Sequence, residues 1–425
     1  MLTEVNFQNV NDLPPLETLF RPLAFASRIG IAVSGGADSL ALMLLLRAWA
    51  KTSEKKLIVY TLDHQLRDEA ASECAEVARL ADALGLESRL LKWAGDKPSS
   101  GVPAAARRAR YRLISEAMAL DYTEVLTTGH HLQDQAETLL MRLSHGSGIG
   151  GLGGMSVLCE VENVCVCRPL LGVDKHVLET CVRMAGIVPV EDPSNQDRKY
   201  ERTRWRNVLV TLADQGLSAD RFGELAKRAE RADTALERYA RPALERLATY
   251  TSFGMVELSR PELRNLPEEI ALRIMRALID WAGAGSRPYA LAPVEALTSH
   301  VRGDDVLKPT TLGGCLIRAR REVIEIMRES ARVSSAPQVL APGETLIWDR
   351  RFSISNLSSN TALHVMAGHG MTRKIVTEQF KRCFDDPMVS VRSAPLVRDD
   401  LGEIVSIGCE TRSGDVQVAL NTKRR

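Results

Sequence analysis

The sequence predicts an α/β fold with a doubly wound parallel sheet, because strand-like and helix-like runs alternate from about Arg28 to Asp192. The strand-like runs are IGIAV, KLIVYTLD, SRLLKW and EVLTTG. The helix-like runs are DSLALMLLLRAWA, DEAASECAEVARLADALG, PAAARRARYRLISEAMAL and DQAETLLMRL. This alternation implies right-handed βαβ units. In such sheets, ligands bind beyond the carboxyl ends of the strands.

The pattern changes after about Glu191, where a polar, basic and aromatic segment leads into helical stretches. Near Lys308 the run TTLGGCLIRARREVIEIMRE predicts a β-hairpin or a pair of strands. We therefore predict a leader or helix over 1–27, the α/β domain over 28–215 and a mainly helical domain over 216–330 that ends in a hairpin. A small β-containing domain, whose fold the sequence does not specify, is predicted over 331–425.

Bulk composition excludes several classes of protein. The 425 residues carry a formal net charge of +1, so any nucleic acid must be held by local basic patches. The sequence has no run of about 18 apolar residues, the length of a membrane span. Its N-terminus is acidic and polar, so we expect a cytoplasmic location. The eight cysteines include no C-x-x-C pair, and the spacing of a zinc ribbon or an iron–sulfur cluster is therefore missing.

The stretch GIAVSGGADS predicts an anion-binding turn. A strand ends near Val33, glycines allow a sharp turn, and a helix begins near Asp38, whose first N–H groups can donate to phosphate. The lysine of a P-loop and the G-x-G-x-x-G fingerprint are both missing from this turn. A carboxylate beside phosphates suits a bound Mg²⁺; the alternative is a plain turn with Asp38 as N-cap. The predicted ATP contacts here are Ser34, Gly35, Gly36, Ala37, Asp38 and Ser39.

A second group of candidate residues follows the strand-like run EVLTTG. On a helix, His130, Asp134 and Glu137 recur at i, i+4 and i+7 and share one face. Two carboxylates there could share Mg²⁺ with Asp38 or hold a cationic amine. The alternative is N-capping by Asp134 and a solvated helix face. The glycine-rich run after this helix, HGSGIGGLGGM, could close over a substrate or serve only as a linker.

Two basic clusters are interleaved with aromatic residues, which is the pattern expected of a surface that grips phosphates and stacks on unpaired bases. Ordinary surface charge is the alternative for any single arginine. The clusters comprise Arg107, Arg108, Arg110 and Arg112 with Tyr111, and Arg198, Lys199, Arg202, Arg204 and Arg206 with Tyr200 and Trp205.

These motifs carry a family resemblance. SGGADS resembles the S-G-G-x-D-S loop of the N-type ATP pyrophosphatases, which transfer AMP to a substrate oxygen and have a PP-loop, Rossmann-like fold. Four further stretches resemble the tRNA(Ile)-lysidine synthetase family: LDHQLRDEA, AAARRARYRL, GHHLQDQAETLLMRLSHGSGIGGLGGM and EDPSNQDRKYERTRWRN. Gln65, Gln133 and Thr203 stand where that family usually has Gly, Asp and Asn. The specific motifs cover roughly Arg28–Arg206.

The resemblance implies ATP-dependent ligation of free lysine to C2 of the wobble cytidine in tRNA(Ile) with a CAU anticodon. The products would be lysidine, AMP and pyrophosphate, and Mg²⁺ would act with ATP. Residues 28–215 would adenylate and residues 216–330 would contact tRNA; a homodimer is left open, and no membrane is involved. The implied residues are Asp38 for Mg²⁺; Asp63 and Arg107 for ATP; Asp38, Asp134, Glu137 and His130 (or His131) for catalysis; and Arg110, Arg202, Arg204 and Arg206 for tRNA.

Three other functions remain open from sequence. A tRNA-modifying relative that thiolates an anticodon-loop base is the nearest, although such enzymes generally use paired cysteines or an iron–sulfur cluster. A non-catalytic RNA-binding protein would not need an intact SGGADS loop. A small-molecule amidotransferase would carry a glutaminase signature, which the chain lacks.

Overall fold

A computed structural model describes residues 5–67, 69–95, 97, 98, 100–190, 199, 201–285, 289–303, 307–381 and 384–422. The chain forms two compact units, Met1–Asp233 and Thr234–Arg425. Among the described residues, no helix is long and apolar enough to cross a membrane.

The first unit is built on a six-stranded sheet with the order β3-β2-β1-β4-β6-β5. Every neighbouring pair is parallel except β5 with β6. The direction of sheet growth reverses at β1, which pairs with β2 on one side and β4 on the other, so a ligand crevice is expected at their carboxyl ends. This confirms the predicted α/β fold. The strands are β1 (Arg28–Ala32), β2 (Lys56–Asp63), β3 (Glu87–Lys92), β4 (Val125–Thr127), β5 (Leu158–Val161) and β6 (Val164–Cys167).

The last two strands were not predicted. They form a hairpin whose turn residues, Glu162 and Asn163, both have positive φ, 48° and 63°. Two such residues suit a two-residue hairpin, but strands of four residues are too short for a clear periodic signal.

Helices cover the sheet, and the most buried is α2. Its residues Leu40–Leu46 are all buried, which explains why this helix is apolar on every side. The leader segment packs onto the same core through Phe20 and Leu23. The helices of this unit are α1 (Leu16–Leu19), α2 (Ala37–Ser53), α3 (Ala70–Ala83), α4 (Val102–Leu120), α5 (Leu132–Ser144), α6 (Ile149–Leu152), α7 (Lys175–Met184) and α8 (Glu201–Asp214); α9 (Ala219–Leu247) runs on into the second unit.

The second unit contains antiparallel sheets. The first has the order β7-β8-β11-β10-β9 and includes the β-segment predicted near Lys308. Its core is shared with α10 (Arg260–Arg264), α11 (Glu268–Ala282) and α12 (Leu291–Arg302). The strands are β7 (Ala248–Tyr250), β8 (Val256–Ser259), β9 (Leu307–Leu312), β10 (Cys315–Ala319) and β11 (Val323–Arg328).

The rest of the second unit is a five-stranded sheet, β12-β15-β16-β17-β18, and a three-stranded sheet, β13-β14-β19. Asp349, a partly buried carboxylate in the turn between β13 and β14, pairs with Arg351 of the same turn and with Arg328 of β11. The remaining elements are β12 (Gln338–Leu340), β13 (Thr345–Trp348), β14 (Phe352–Asn356), β15 (Leu363–Ala367), α13 (Arg373–Phe380), α14 (Met388–Arg392), β16 (Pro395–Arg398), β17 (Ile404–Ile407), β18 (Glu410–Thr411) and β19 (Val416–Leu420).

Candidate active site

The loop between β1 and α2 is organised by its own serines and glycines. Gly35 has a φ of +85°, and a Cβ there would lie 3.1 Å from Val190 Cγ2. Ser39 Oγ donates to Gly36 O over 2.9 Å and accepts from Ser34 N over 3.1 Å. The turn is therefore held in shape by its own hydrogen bonds, with the N-terminus of α2, the end of a helix that attracts anions, facing the end of the sheet.

Asp38 stands in the first turn of α2 with one oxygen unpaired. Its Oδ1 is buried and has no hydrogen-bond partner among the described residues, and its Oδ2 lies 3.5 Å from His131 Nε2. Gly129 permits this approach, because a Cβ there would lie 2.8 Å from the Asp38 carbonyl oxygen.

The residues present fit a magnesium ion. Within the described ranges, no cluster of three or more His, Cys, Asp or Glu side chains could enclose a metal. Mg²⁺, however, is commonly bound through one or two carboxylates and completed by substrate phosphates and water. The Asp38 oxygen without a described partner, beside the N-terminus of α2, matches that requirement.

The turn between β4 and α5 brings two histidines to the same place. His130 Nδ1 is 2.8 Å from Thr128 Oγ1, and burial lowers the pKa of His130 to about 4. Burial acts in the same direction on His131. The carboxylates of Asp38 and Asp134 have the larger effect, and the net result is a raised pKa for His131. At neutral pH, His130 is therefore uncharged.

Asp134 and Glu137 share one face of α5, as the spacing predicted. His130 does not lie on that helix, because α5 begins only at Leu132. His131 is the N-cap of α5, and Asp134, at the third helical position, accepts from His131 N through Oδ2 over 3.0 Å as part of a capping box. The solvated helix face that was the sequence alternative is wrong, because Asp134 and Glu137 are buried. Burial raises the pKa of Asp134, but the charges of His131 and Arg202 outweigh it, and the pKa is lowered.

Both carboxylates are paired with arginines of α8. Glu137 is fully buried and receives Arg202 Nε at 2.5 Å and Arg206 Nε at 2.7 Å. Arg202 Nη2 also lies 2.8 Å from Asp134 Oδ1. These three ion pairs form a four-residue cluster, here called the acid–arginine cluster. Two arginines predicted to grip RNA phosphates are thus bound to two predicted catalytic acids.

The loop, the histidines and the acid–arginine cluster all open on one crevice of about 690 Å³. Arg107 and Arg110 of α4 form part of its wall, and Arg107 lies 5.1 Å from the centre of the Tyr111 ring. The predicted site residues that line it are Ser34, Gly36, Asp38, Ser39, Arg107, Arg110, His130, Asp134, Glu137, Arg202 and Arg206.

Other predicted residues stand elsewhere. Over the described part of the chain, the crevice wall does not include Gly35, Ala37, Asp63 or Arg204. Asp63 is buried at the end of β2, where it accepts from Gln65 N over 2.8 Å. Arg204 is exposed and donates to Lys199 O over 3.1 Å. Glu191–Arg198, which include the E-D-x-S-N segment, and Tyr200 lie outside the described residues.

The glycine-rich run after α5 is bound to that helix. Arg142 Nη1 donates to Gly151 O over 2.7 Å, and the Gln135 amide exchanges two hydrogen bonds with the Met155 backbone. The described crevice wall contains no residue of this run. Gly154 allows close packing onto α5, because a Cβ there would lie 2.6 Å from Gln135 Oε1. Closure of this run over a substrate stays a prediction.

Sequence reasoning missed the beginning of α7. Asp174 and Lys175 line the crevice beside Gln133, which binds both of them. The only sequence signal was an Asp before a helix-like run, a common N-cap. It gave no indication that this helix reaches the crevice.

Comparison with known proteins identifies the family. Residues 11–213 match the PP-loop domain family. A tRNA(Ile)-lysidine synthase from Ruegeria pomeroyi is 39% identical over 325 residues, covering 76% of both chains. Another from a Bradyrhizobium species is 38% identical and covers 77% of this chain and 95% of its own. The chain belongs to the tRNA(Ile)-lysidine synthase family.

The tRNA(Ile)-lysidine synthase family was the one predicted, and the thiolation alternative is not favoured. A solved U34-tRNA thiolase from Methanococcus maripaludis is 16% identical, with a TM-score of 0.44, and covers 51% of this chain and 76% of its own. This likeness is too distant to bear on the reaction.

One departure from the lysidine synthase pattern has a local explanation. Gln65 adopts a φ of +52°, in the left-handed region. Glycine reaches this region at little cost, which accounts for the glycine that the family usually has there. Thr203, the departure in α8, is buried.

Proposed function

We propose that this single crevice carries out both half-reactions of lysidine formation on tRNA(Ile). Membership in the tRNA(Ile)-lysidine synthase family makes the chain an ATP-using, tRNA-modifying ligase. One observation carries the assignment of the site: an anion-binding loop with an unpaired carboxylate oxygen opens on the same crevice as two buried acids suited to an amine.

In the first half-reaction, the C2 oxygen of the wobble cytidine attacks the α-phosphate of ATP, and pyrophosphate leaves. The N–H groups at the start of α2 and the hydroxyl of Ser34 bind phosphate oxygens. The Ser39 hydroxyl would do so by releasing Gly36 O. Asp38 would hold Mg²⁺, which would neutralise charge on the phosphates. Arg107 and Arg110 extend from α4 into the same space and supply positive charge for the nucleotide or the RNA backbone.

His130 acts in this scheme as a neutral hydrogen-bonding group. A pKa of about 4 makes it too weak a base to hold the proton of an ammonium at neutral pH. When Thr128 donates to Nδ1, the ring proton sits on Nε2, and the ring can then donate to a phosphate oxygen.

In the second half-reaction, the ε-amine of free lysine attacks C2 of the adenylated base, and AMP leaves. Asp134 and Glu137 would hold the lysine ammonium until it gives up a proton to solvent, which frees the amine for attack. The lowered pKa of Asp134 favours binding of the cation over removal of its proton. Before lysine binds, the arginines of the acid–arginine cluster occupy these carboxylates, so we propose that the ammonium replaces at least one arginine contact.

The arginines then become available to the RNA. Arg202 and Arg206 are about 40% exposed, and each could turn from a carboxylate to a phosphate without crossing the core. Arg204, exposed on the same helix, is proposed to contact tRNA throughout.

Transfer of radiolabelled lysine to acid-precipitable tRNA tests the function. Label that requires ATP and survives base treatment is expected, because a C–N bond to cytosine persists where an aminoacyl ester hydrolyses. Asp38→Ala should abolish pyrophosphate release, whereas Asp82→Ala, which removes an exposed acid of α3, should not. Pyrophosphate release without lysine incorporation would reject lysine as the nucleophile. Near-normal release by Asp38→Ala would reject the metal role.

A further inference from the structure

Gln133, the second residue of α5, is the hub of a small polar network beside the crevice. Its Oε1 accepts from Lys175 N over 3.0 Å and lies 3.2 Å from His131 Nδ1. Its Nε2 donates to Asp174 Oδ2. One amide thus uses its donor and acceptor sides for three partners on two separate segments.

The acceptor side of the amide orients His131. An amide oxygen can only accept, so it receives the proton on His131 Nδ1 and fixes the plane of the ring. His131 Nε2 is then held 3.5 Å from both Asp38 Oδ2 and Asp134 Oδ2. The His131 side chain is almost completely buried, and the amide is therefore a strong constraint on it.

The donor side of the amide anchors the start of α7. Asp174 caps this helix by accepting from His176 N through Oδ1, over 2.8 Å, which leaves Oδ2 for Gln133. Gln133 also accepts the backbone N–H of Lys175, one of the donors that a helix start leaves unpaired. Lys175 therefore lines the crevice, and among the described residues its ammonium pairs with Glu179 at 3.6 Å, at an exposed position.

We propose that Gln133 is a positioning residue for adenylation: it holds His131 and Lys175 together at the phosphate end of the crevice. The proposal rests on the function proposed above. It also predicts which side chain the position accepts. With Asp174 bonded to it, residue 133 must present a donor there, and a carboxylate at 133 would face another carboxylate.

An exchange of amide and carboxylate tests this geometry. Gln133→Glu keeps the shape of the side chain but places two acceptors against each other. Adding Asp174→Asn restores a hydrogen bond between the two side chains, with the amide at position 174 now donating to the carboxylate at position 133. The new amide oxygen at position 174 can still accept from His176 N. The double variant has the same net charge as the wild type. Gln215→Glu adds the same charge at an exposed position outside the crevice wall and is the control.

The measurement is tRNA-dependent pyrophosphate release at varied ATP concentration, together with tRNA affinity and the thermal midpoint. We expect Gln133→Glu to lower kcat at least tenfold, with tRNA affinity within twofold of wild type and a midpoint within about 3 °C. The double variant should recover kcat to within threefold. Gln215→Glu should match the wild type.

Three outcomes would overturn the proposal. These are an unchanged kcat in Gln133→Glu, a loss of kcat that only follows a loss of folded protein, and a double variant no better than the single one. Failure of the proposed function is a separate result, because it would be seen as the absence of tRNA-dependent pyrophosphate release from the wild type.

Discussion

Glu137 offers the clearest test of the acid–arginine cluster, because its substitution by glutamine removes a charge and changes little else. The side chain is fully buried and accepts from Arg202 Nε and Arg206 Nε. In Glu137→Gln, the amide nitrogen cannot accept, so one of these bonds is lost. The other becomes a bond between a charged donor and a neutral acceptor.

The loss in the free energy of unfolding depends on how many of these hydrogen bonds are weakened and on how exposed they are. A hydrogen bond to a charged group contributes about 1.5–3 kcal/mol. The two arginine side chains are 40% and 44% exposed, so water replaces part of what is lost. We therefore expect a loss of about 2–3 kcal/mol in the free energy of unfolding, which corresponds to a fall in the thermal midpoint of about 4–12 °C for a unit of this size.

Differential scanning calorimetry of the full chain measures this change. The control is Glu201→Gln, which removes an acid of α8 that pairs with the exposed His145 at 3.0 Å and should shift the midpoint by less than about 1 °C. Adding Arg206→Met to Glu137→Gln should cost less than the sum of the two single changes, because the pair is already broken. A midpoint for Glu137→Gln within about 1 °C of wild type would refute the view that this carboxylate holds α8 against α5.

Three further predictions concern the crevice and the RNA surface. Gly129→Ala should cut pyrophosphate release at least tenfold, since the new Cβ would lie 2.8 Å from the Asp38 carbonyl oxygen. The control is Gly172→Ala, whose Cβ would meet no atom within 4 Å and should leave release unchanged. Equal rates in the two variants would contradict the steric argument. The pKa of His130 is about 4 in the folded protein and 6.5 in the unfolded chain. Between pH 6.5 and pH 4 the unfolded chain therefore binds more protons, and stability should fall as the pH drops through this range. The loss should be at most about 3 kcal/mol, and urea unfolding of His130→Asn should show a flatter pH dependence. Arg204→Ala should reduce the slope of log Kd for tRNA against log salt by about 1, and an unchanged slope would remove Arg204 from the interface.

Local sequence was sufficient to predict the strand, turn and helix of the β1–α2 loop. The apolar strand before Ser34 and the glycines of the turn are adjacent in the chain, and their conformations depend mainly on neighbours within a few residues. The same holds for Asp134 and Glu137, because three residues on a helix nearly complete a turn. Domain boundaries near 215 and 330 stay predictions.

Contacts between segments that are distant in the chain could not be predicted from sequence patterns. His130 was assigned to a helix because spacing alone cannot distinguish the first turn of α5 from the extended residues before it. The strand pairing of the second unit joins β14 to β19, which lie far apart in the chain. The sequence of neither strand indicates which strand it pairs with.

The sequence by itself determined the class of fold, the turn between β1 and α2 and the family, since each depends on residues that are contiguous in the chain. Only the tertiary structure decided that Arg202 meets Glu137, 65 residues away, and that Gln133 meets Asp174, 41 residues away. Both contacts depend on how α7 and α8 pack beside α5. Packing is set by the whole buried surface of a unit, and so the charge state and orientation of the crevice residues are properties of the fold.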